Sequence, residues 1–157
     1  MPTRSSEATW EGDLKNGEET VALGSGAYEG LYSFLSRFEE GDGTTPEELM
    51  AAAHAGCYAM ALSIDLASEG HEPERVHATA NVHLDTASGT VDTIELVVEA
   101  SVPGIDEATF MEFAEGAKEN CPVSRVLAGA EITLNAPETA RRDVSRQPSH
   151  RRSPSPV

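Results

Sequence analysis

Lysine is all but missing from this chain. Two occur in 157 residues, Lys15 and Lys118, and the other nine basic residues are arginines, against 27 acids. The net charge at pH 7 is −16, and it is unevenly spread. Residues 139–157 carry Arg141, Arg142, Arg146, Arg151 and Arg152 against Asp143, a net of +4, so residues 1–138 hold a net of −20. An acidic body of this kind repels phosphate backbones, which argues against nucleic-acid binding by the folded part. Acid-rich, lysine-poor surfaces resemble those of proteins from salt-loaded cytoplasm, where counterions screen self-repulsion. A halophilic setting is the expectation.

Long apolar runs are also lacking. No uninterrupted stretch of about 18 apolar residues occurs, so no membrane span is expected. The opening residues, MPTRSSEATWEGD, have no apolar signal segment, and a cytoplasmic location is expected. Cysteine is scarce, with two residues, Cys57 and Cys121. In a reducing compartment a structural disulfide is not expected. Two such thiols point to redox chemistry, to metal binding, or to no chemical role.

The length suits one domain with a real core. Residues 1–138 are read as that domain. Residues 139–157, rich in Arg, Ser and Pro, are read as a disordered basic tail; a solvated extension is expected there rather than a nucleic-acid contact. The order of elements predicts an α+β fold. Residues 6–14 and 19–24 read as a hairpin about KNGE. The stretch GSGAYEGLYSFLSRFEEGDG reads as loop, short strand or turn, then loop. A long helix follows: Thr45 as N-cap, Pro46 at the first helical position, Glu47 and Glu48 as first-turn charge, and Gly70 as the stop. Glu48 is spaced to complete a capping box. Apolar or small residues lie on all its faces, as in a core helix. Residues 75–101 alternate as two long strands about the turn TASG, with Val76, Ala78, Ala80, Val82 and Leu84 on one face. A helix from Asp106, a restart at NCPVSRVL capped by Asn120, and a last strand at 130–136 complete the domain.

Cys57 lies mid-helix in TPEELMAAAHAGCYAMALS. There it is either a small packing residue or a thiol in a dry pocket, whose pKa rises unless a cation approaches. Cys121, at a helix start, is better placed to ionise. Only arginine stays charged in a dry pocket, and Arg37, among Phe34, Leu35 and Phe38, is the body's stand-out candidate. Alone it reads as a surface residue with a buried stem. Glu47 alone reads as helix-terminal charge; paired with Arg37 it would orient the guanidinium. His54 and Cys57 share a helix face, with His77 and His83 on a strand, but no CxxC or second close ligand pair accompanies them, so no metal is expected. His54 reads as a hydrogen-bonded core or interface residue, and His77 and His83 as solvated.

SRFEEG, TPEELMAAAHAGCYAMALS and ENCPVSRVL together closely resemble the motifs of the OsmC/Ohr family of osmotically inducible and organic-hydroperoxide-resistance proteins. The arginine placement resembles the OsmC branch. The likeness runs from about Glu7 to Ala136, and the tail has no counterpart in it. The resemblance implies an OsmC-like fold, antiparallel sheets packed around a long central helix, in an intertwined homodimer with two sites at the subunit interface. It implies a thiol peroxidase reducing organic hydroperoxides, with Cys57 peroxidatic, Cys121 resolving, and Arg37 and Glu47 activating Cys57. No cofactor or metal is implied; the electrons come from an external dithiol, often a dihydrolipoyl group. Met60, Phe38 and Phe110 would suit an apolar peroxide. A sensor that consumes peroxide without turnover, or a stress protein that binds an apolar ligand, would use the same residues.

Overall fold

The computed structural model describes residues 2–137; residues 139–157, read above as a tail, lie outside the described residues. β1 (Ser6–Glu11) and β2 (Glu18–Leu23) form the expected hairpin, turning at Asp13–Asn16, where the Asp13 carboxylate accepts from the backbone N–H groups of Lys15 and Asn16. β3 (Glu29–Ser33) adds an antiparallel third strand. The chain then forms α1 (Phe34–Phe38), where the sequence suggested loop. Ser33 and Ser36 make this turn by capping each other, the Ser33 hydroxyl accepting from Ser36 N–H and the Ser36 hydroxyl from Ser33 N–H.

α2 (Pro46–Ser68) begins where its sequence signals place it, with the Thr45 side chain accepting from Glu48 N–H. The reciprocal half of the capping box is not made, because Thr44 Oγ1 donates to the Glu48 carboxylate at 2.7 Å. His54, Tyr58, Leu62 and Leu66, four residues apart along one line, are each fully buried, as a helix face packed on a sheet requires. The rest of α2 departs from the all-buried expectation. Met60 and Ile64 are 66% and 60% exposed, and Ala53 and Gly56 continue that open face. By length and mean hydropathy alone α2 would suffice to cross a membrane, a test that the core helix of a soluble protein also passes.

β4 (Arg75–Asp85) and β5 (Thr90–Ser101) pair antiparallel, with one register shift between His83 and Leu84. α3 (Glu107–Asn120) and α4 (Pro122–Val126) lead to β6 (Glu131–Asn135), which runs parallel to β5. The second sheet is therefore mixed, in the order β4-β5-β6, and not antiparallel throughout. The core joins α2, β4, β5 and α3 through Tyr58, Leu62, Leu66, Ala80, Ile94, Leu96, Val98, Phe110, Ala114 and Cys121. The first sheet adds little to it: in β1, β2 and β3 the buried side chains are Glu19 and Val21.

Candidate active site

The two thiols come from separate parts of the fold. α2 carries Cys57 on the flank of its buried line. The junction of α3 and α4 carries Cys121, which ends one helix and starts the next. Its N–H goes to the Ala117 carbonyl, and its carbonyl accepts from Arg125 N–H. Pro122 forces this break, since it has no N–H to continue α3 and fits the first position of α4. Cys121, not Asn120, is the N-cap of α4.

The thiols meet. Cys57 and Cys121 are both reduced and lie close enough to act on each other's ionisation. Burial and the hydrogen bond to Cys121 push the Cys57 thiol up. Burial acts the same way on Cys121, but the hydrogen bonds from Cys57, the Ser124 and Val123 N–H groups and the Ser124 hydroxyl outweigh it and bring Cys121 down. The pair titrates as a unit, and these hydrogen bonds favour charge on Cys121 over Cys57. The N–H groups of the first turn of α4, rather than the dipole of so short a helix, hold that charge.

Arg37 and Glu47 also meet. The Arg37 Nη2 donates to Glu47 Oε1 at 2.6 Å, and its Nε–H reaches both carboxylate oxygens at 3.2 and 3.3 Å. The guanidinium lies 5.3 Å from the centre of the Phe38 ring, close enough for cation–π attraction. A cavity of about 220 Å³ opens beside it among Trp10, Tyr32, Phe34 and Phe38. Glu19, which the sequence reading passed over, is buried on β2. Burial raises its pKa and the nearby Arg37 charge partly offsets the rise. Strand periodicity carried that signal, because Glu19 shares a face with the buried Val21.

Within one chain the two pairs stay apart. Glu47 and Cys57 are separated by ten residues of one helix, about 15 Å along its axis at 1.5 Å per residue. The groups that act on the Cys57 thiol are Cys121 and the Val123 N–H, with no arginine among them. Of the expected apolar neighbours, Met60 and Phe38 are exposed and Phe110 is buried in the core. His54 is buried and its Nε2 lies 2.7 Å from Ser124 Oγ; His83 pairs on the surface with Asp92. Among the described residues no three of His, Cys, Asp and Glu converge as a metal would require.

The chain is similar to known proteins over most of its length. The family model described as OsmC-like protein matches residues 39–136. Peroxiredoxin OsmC of Escherichia coli (strain K12) is 48% identical over 132 residues, which make up 82% of this chain and 92% of that protein. Among solved structures, an organic hydroperoxide resistance protein from Elizabethkingia anophelis superimposes with a TM-score of 0.67 at 24% identity, covering 87% of this chain and 96% of that one. The organic hydroperoxide resistance protein OsmC from Legionella pneumophila gives a TM-score of 0.62 at 23% identity, covering 84% and 96%. The two structural likenesses speak for the fold, and the family match and the E. coli relative speak for descent: the chain belongs to the OsmC family.

Proposed function

We propose that this protein is a thiol-dependent peroxidase that reduces organic hydroperoxides to alcohols through Cys57 and Cys121. The observation that carries the reading is the meeting of two reduced cysteines, each acting on the other's ionisation, at the edge of the core. Its relatives' names, peroxiredoxin and organic hydroperoxide resistance protein, support the same chemistry.

The reaction needs charge on Cys57, and a single chain puts it on Cys121. A guanidinium brought against Cys57 reverses that preference, the proton crossing the S–H···S hydrogen bond to Cys121. Arg37 of the same chain is held by Glu47 too far along α2 to do this. A second copy resolves the difficulty: it covers the apolar face of Ala53, Gly56, Met60 and Ile64 and brings its own Arg37–Glu47 pair to Cys57. The small contribution of β1, β2 and β3 to this chain's core supports the same arrangement.

The Cys57 thiolate then attacks a peroxide oxygen and the O–O bond breaks. Cys57 becomes a sulfenic acid, and the departing alkoxide takes the proton from Cys121 to become the alcohol. The guanidinium stabilises the charge that develops on the leaving oxygen. Cys121, now a thiolate, attacks the Cys57 sulfur; the S–S bond forms, the S–O bond breaks and hydroxide departs into solvent. An external dithiol, a dihydrolipoyl group in this proposal, restores both thiols by exchange. One equivalent of cumene hydroperoxide should therefore give a protein whose only disulfide, located by peptide mass spectrometry, joins Cys57 to Cys121. Cys121→Ser should still consume the first equivalent but accumulate sulfinic acid at Cys57. A reduced Cys57 after exposure to excess peroxide would overturn the assignment.

A further inference from the structure

Cys121 has a second polar neighbour, to which the mechanism above gives no role. Ser124, in the first turn of α4, lies beside the Cys121 sulfur, where its backbone N–H and its hydroxyl both favour the charged form. The same hydroxyl lies 2.7 Å from His54 Nε2. His54 and Cys121 are fully buried and Ser124 is 4% exposed. His54 stands one turn before Cys57 on α2, so the line of contacts from His54 through Ser124 and Cys121 returns to the helix it left.

The direction of these hydrogen bonds follows from donor count. Burial lowers the His54 pKa, so the imidazole is neutral at pH 7 and carries one N–H. Among the described residues its Nδ1 has no hydrogen-bond partner, a place that suits a bare lone pair better than a stranded N–H. The proton therefore belongs on Nε2 and is donated to Ser124 Oγ. That leaves Ser124 one O–H to give, and the Cys121 sulfur receives it.

We propose that His54 and Ser124 are positioning residues for Cys121: Nε2–H donates to Ser124 Oγ, Ser124 O–H donates to Cys121 Sγ, and the sulfur is held aimed at Cys57 for the disulfide-forming step. The proposal rests on the reading of Cys121 as the resolving thiol. That step forms the S–S bond, breaks the S–O bond of the Cys57 sulfenic acid and releases hydroxide to solvent water; no proton travels along the relay, which orients the attacking sulfur and stabilises its charge. Of the other ionisable groups nearby, Tyr58 is held protonated by burial and by the charges of Glu115 and Cys121. Tyr58 donates to the Ala114 carbonyl, Glu115 pairs with Lys118, and Arg125 faces solvent.

The test is an ultraviolet thiolate titration of Cys121 in the Cys57→Ser background, which retains a hydroxyl donor beside Cys121. It reads the relay whether or not the protein turns over peroxide, so the two proposals fail separately. Ser124→Ala should raise the Cys121 midpoint by about one unit, the worth of one hydrogen bond to a charged sulfur. His54→Leu should raise it as well, His54→Gln should restore it by offering an amide N–H, and His54→Leu should add nothing once Ser124→Ala is present. With Cys57 intact, dimedone trapping should find the sulfenic acid of Ser124→Ala about tenfold longer-lived near neutral pH and no different at high pH. An unchanged midpoint in folded Ser124→Ala overturns the proposal. So does a His54→Leu shift of equal size with and without Ser124. If His54→Leu does not fold, Ser124→Ala and His54→Gln decide the matter alone.

Discussion

At the scale of single residues, the site turns on where one proton sits. Cys57 is the better placed to meet a substrate, being half-buried where Cys121 is fully buried. Yet the hydrogen bonds favour charge on Cys121. An arginine beside Cys57 is what the proposed chemistry still requires. Motif likeness offered Cys57, Cys121, Arg37 and Glu47 as candidates. Their distances were not legible, because Cys57 and Cys121 meet only through the packing of α2 against the α3–α4 junction, and no spacing rule encodes that contact. Glu19 was legible and overlooked. Its folded pKa is raised, so its contribution to stability is full below the ordinary glutamate value of about 4.3 and is lost as pH rises through the raised value. Glu19→Gln should therefore raise Tm at neutral pH and leave it unchanged well below pH 4.3. A lower Tm at neutral pH would mean that attraction to Arg37 outweighs the cost of burying the carboxylate.

At the scale of elements, local chemistry decides what a sequence reveals. The start of α2 was legible from Thr45, Pro46 and the first-turn acids because each acts within a few residues of itself. Thr45→Ala should cost about 1 kcal/mol in urea denaturation. A loss of only a few tenths would mean that tertiary packing alone fixes this end of the helix. The alternation in β4 and β5 was equally plain. α1 was hidden because five residues carry no helical period, and two serines define it instead. The parallel direction of β6 was hidden for a different reason: a period of two marks which residues face the core but not which way the strand runs.

At the scale of the whole molecule, the proposed second copy would account at once for the open apolar face of α2 and the sparsely buried first sheet. If the guanidinium comes from the second copy, Arg37→Ala and Cys57→Ser should each be inactive alone. A mixed dimer of the two should recover activity, because one of its sites pairs an intact Cys57 with an intact Arg37. Recovery that fails in a verified mixed dimer would place both residues in one chain. The charge of −16 is a separate property of the same molecule. If it reflects a salty setting, Tm should climb steeply as sodium chloride is raised from low concentration, since screening relieves self-repulsion; a Tm indifferent to salt would count against that setting.

The most direct test of the account is steady-state peroxide consumption by the full chain at high salt, with dihydrolipoamide as reductant and cumene hydroperoxide or hydrogen peroxide as substrate. The account predicts sustained turnover that prefers the organic peroxide and vanishes in Cys57→Ser. Consumption that stops at one equivalent, with every dithiol offered, would contradict it and make the paired cysteines a sensor. No consumption at all by reduced, folded protein would leave Cys57 as packing.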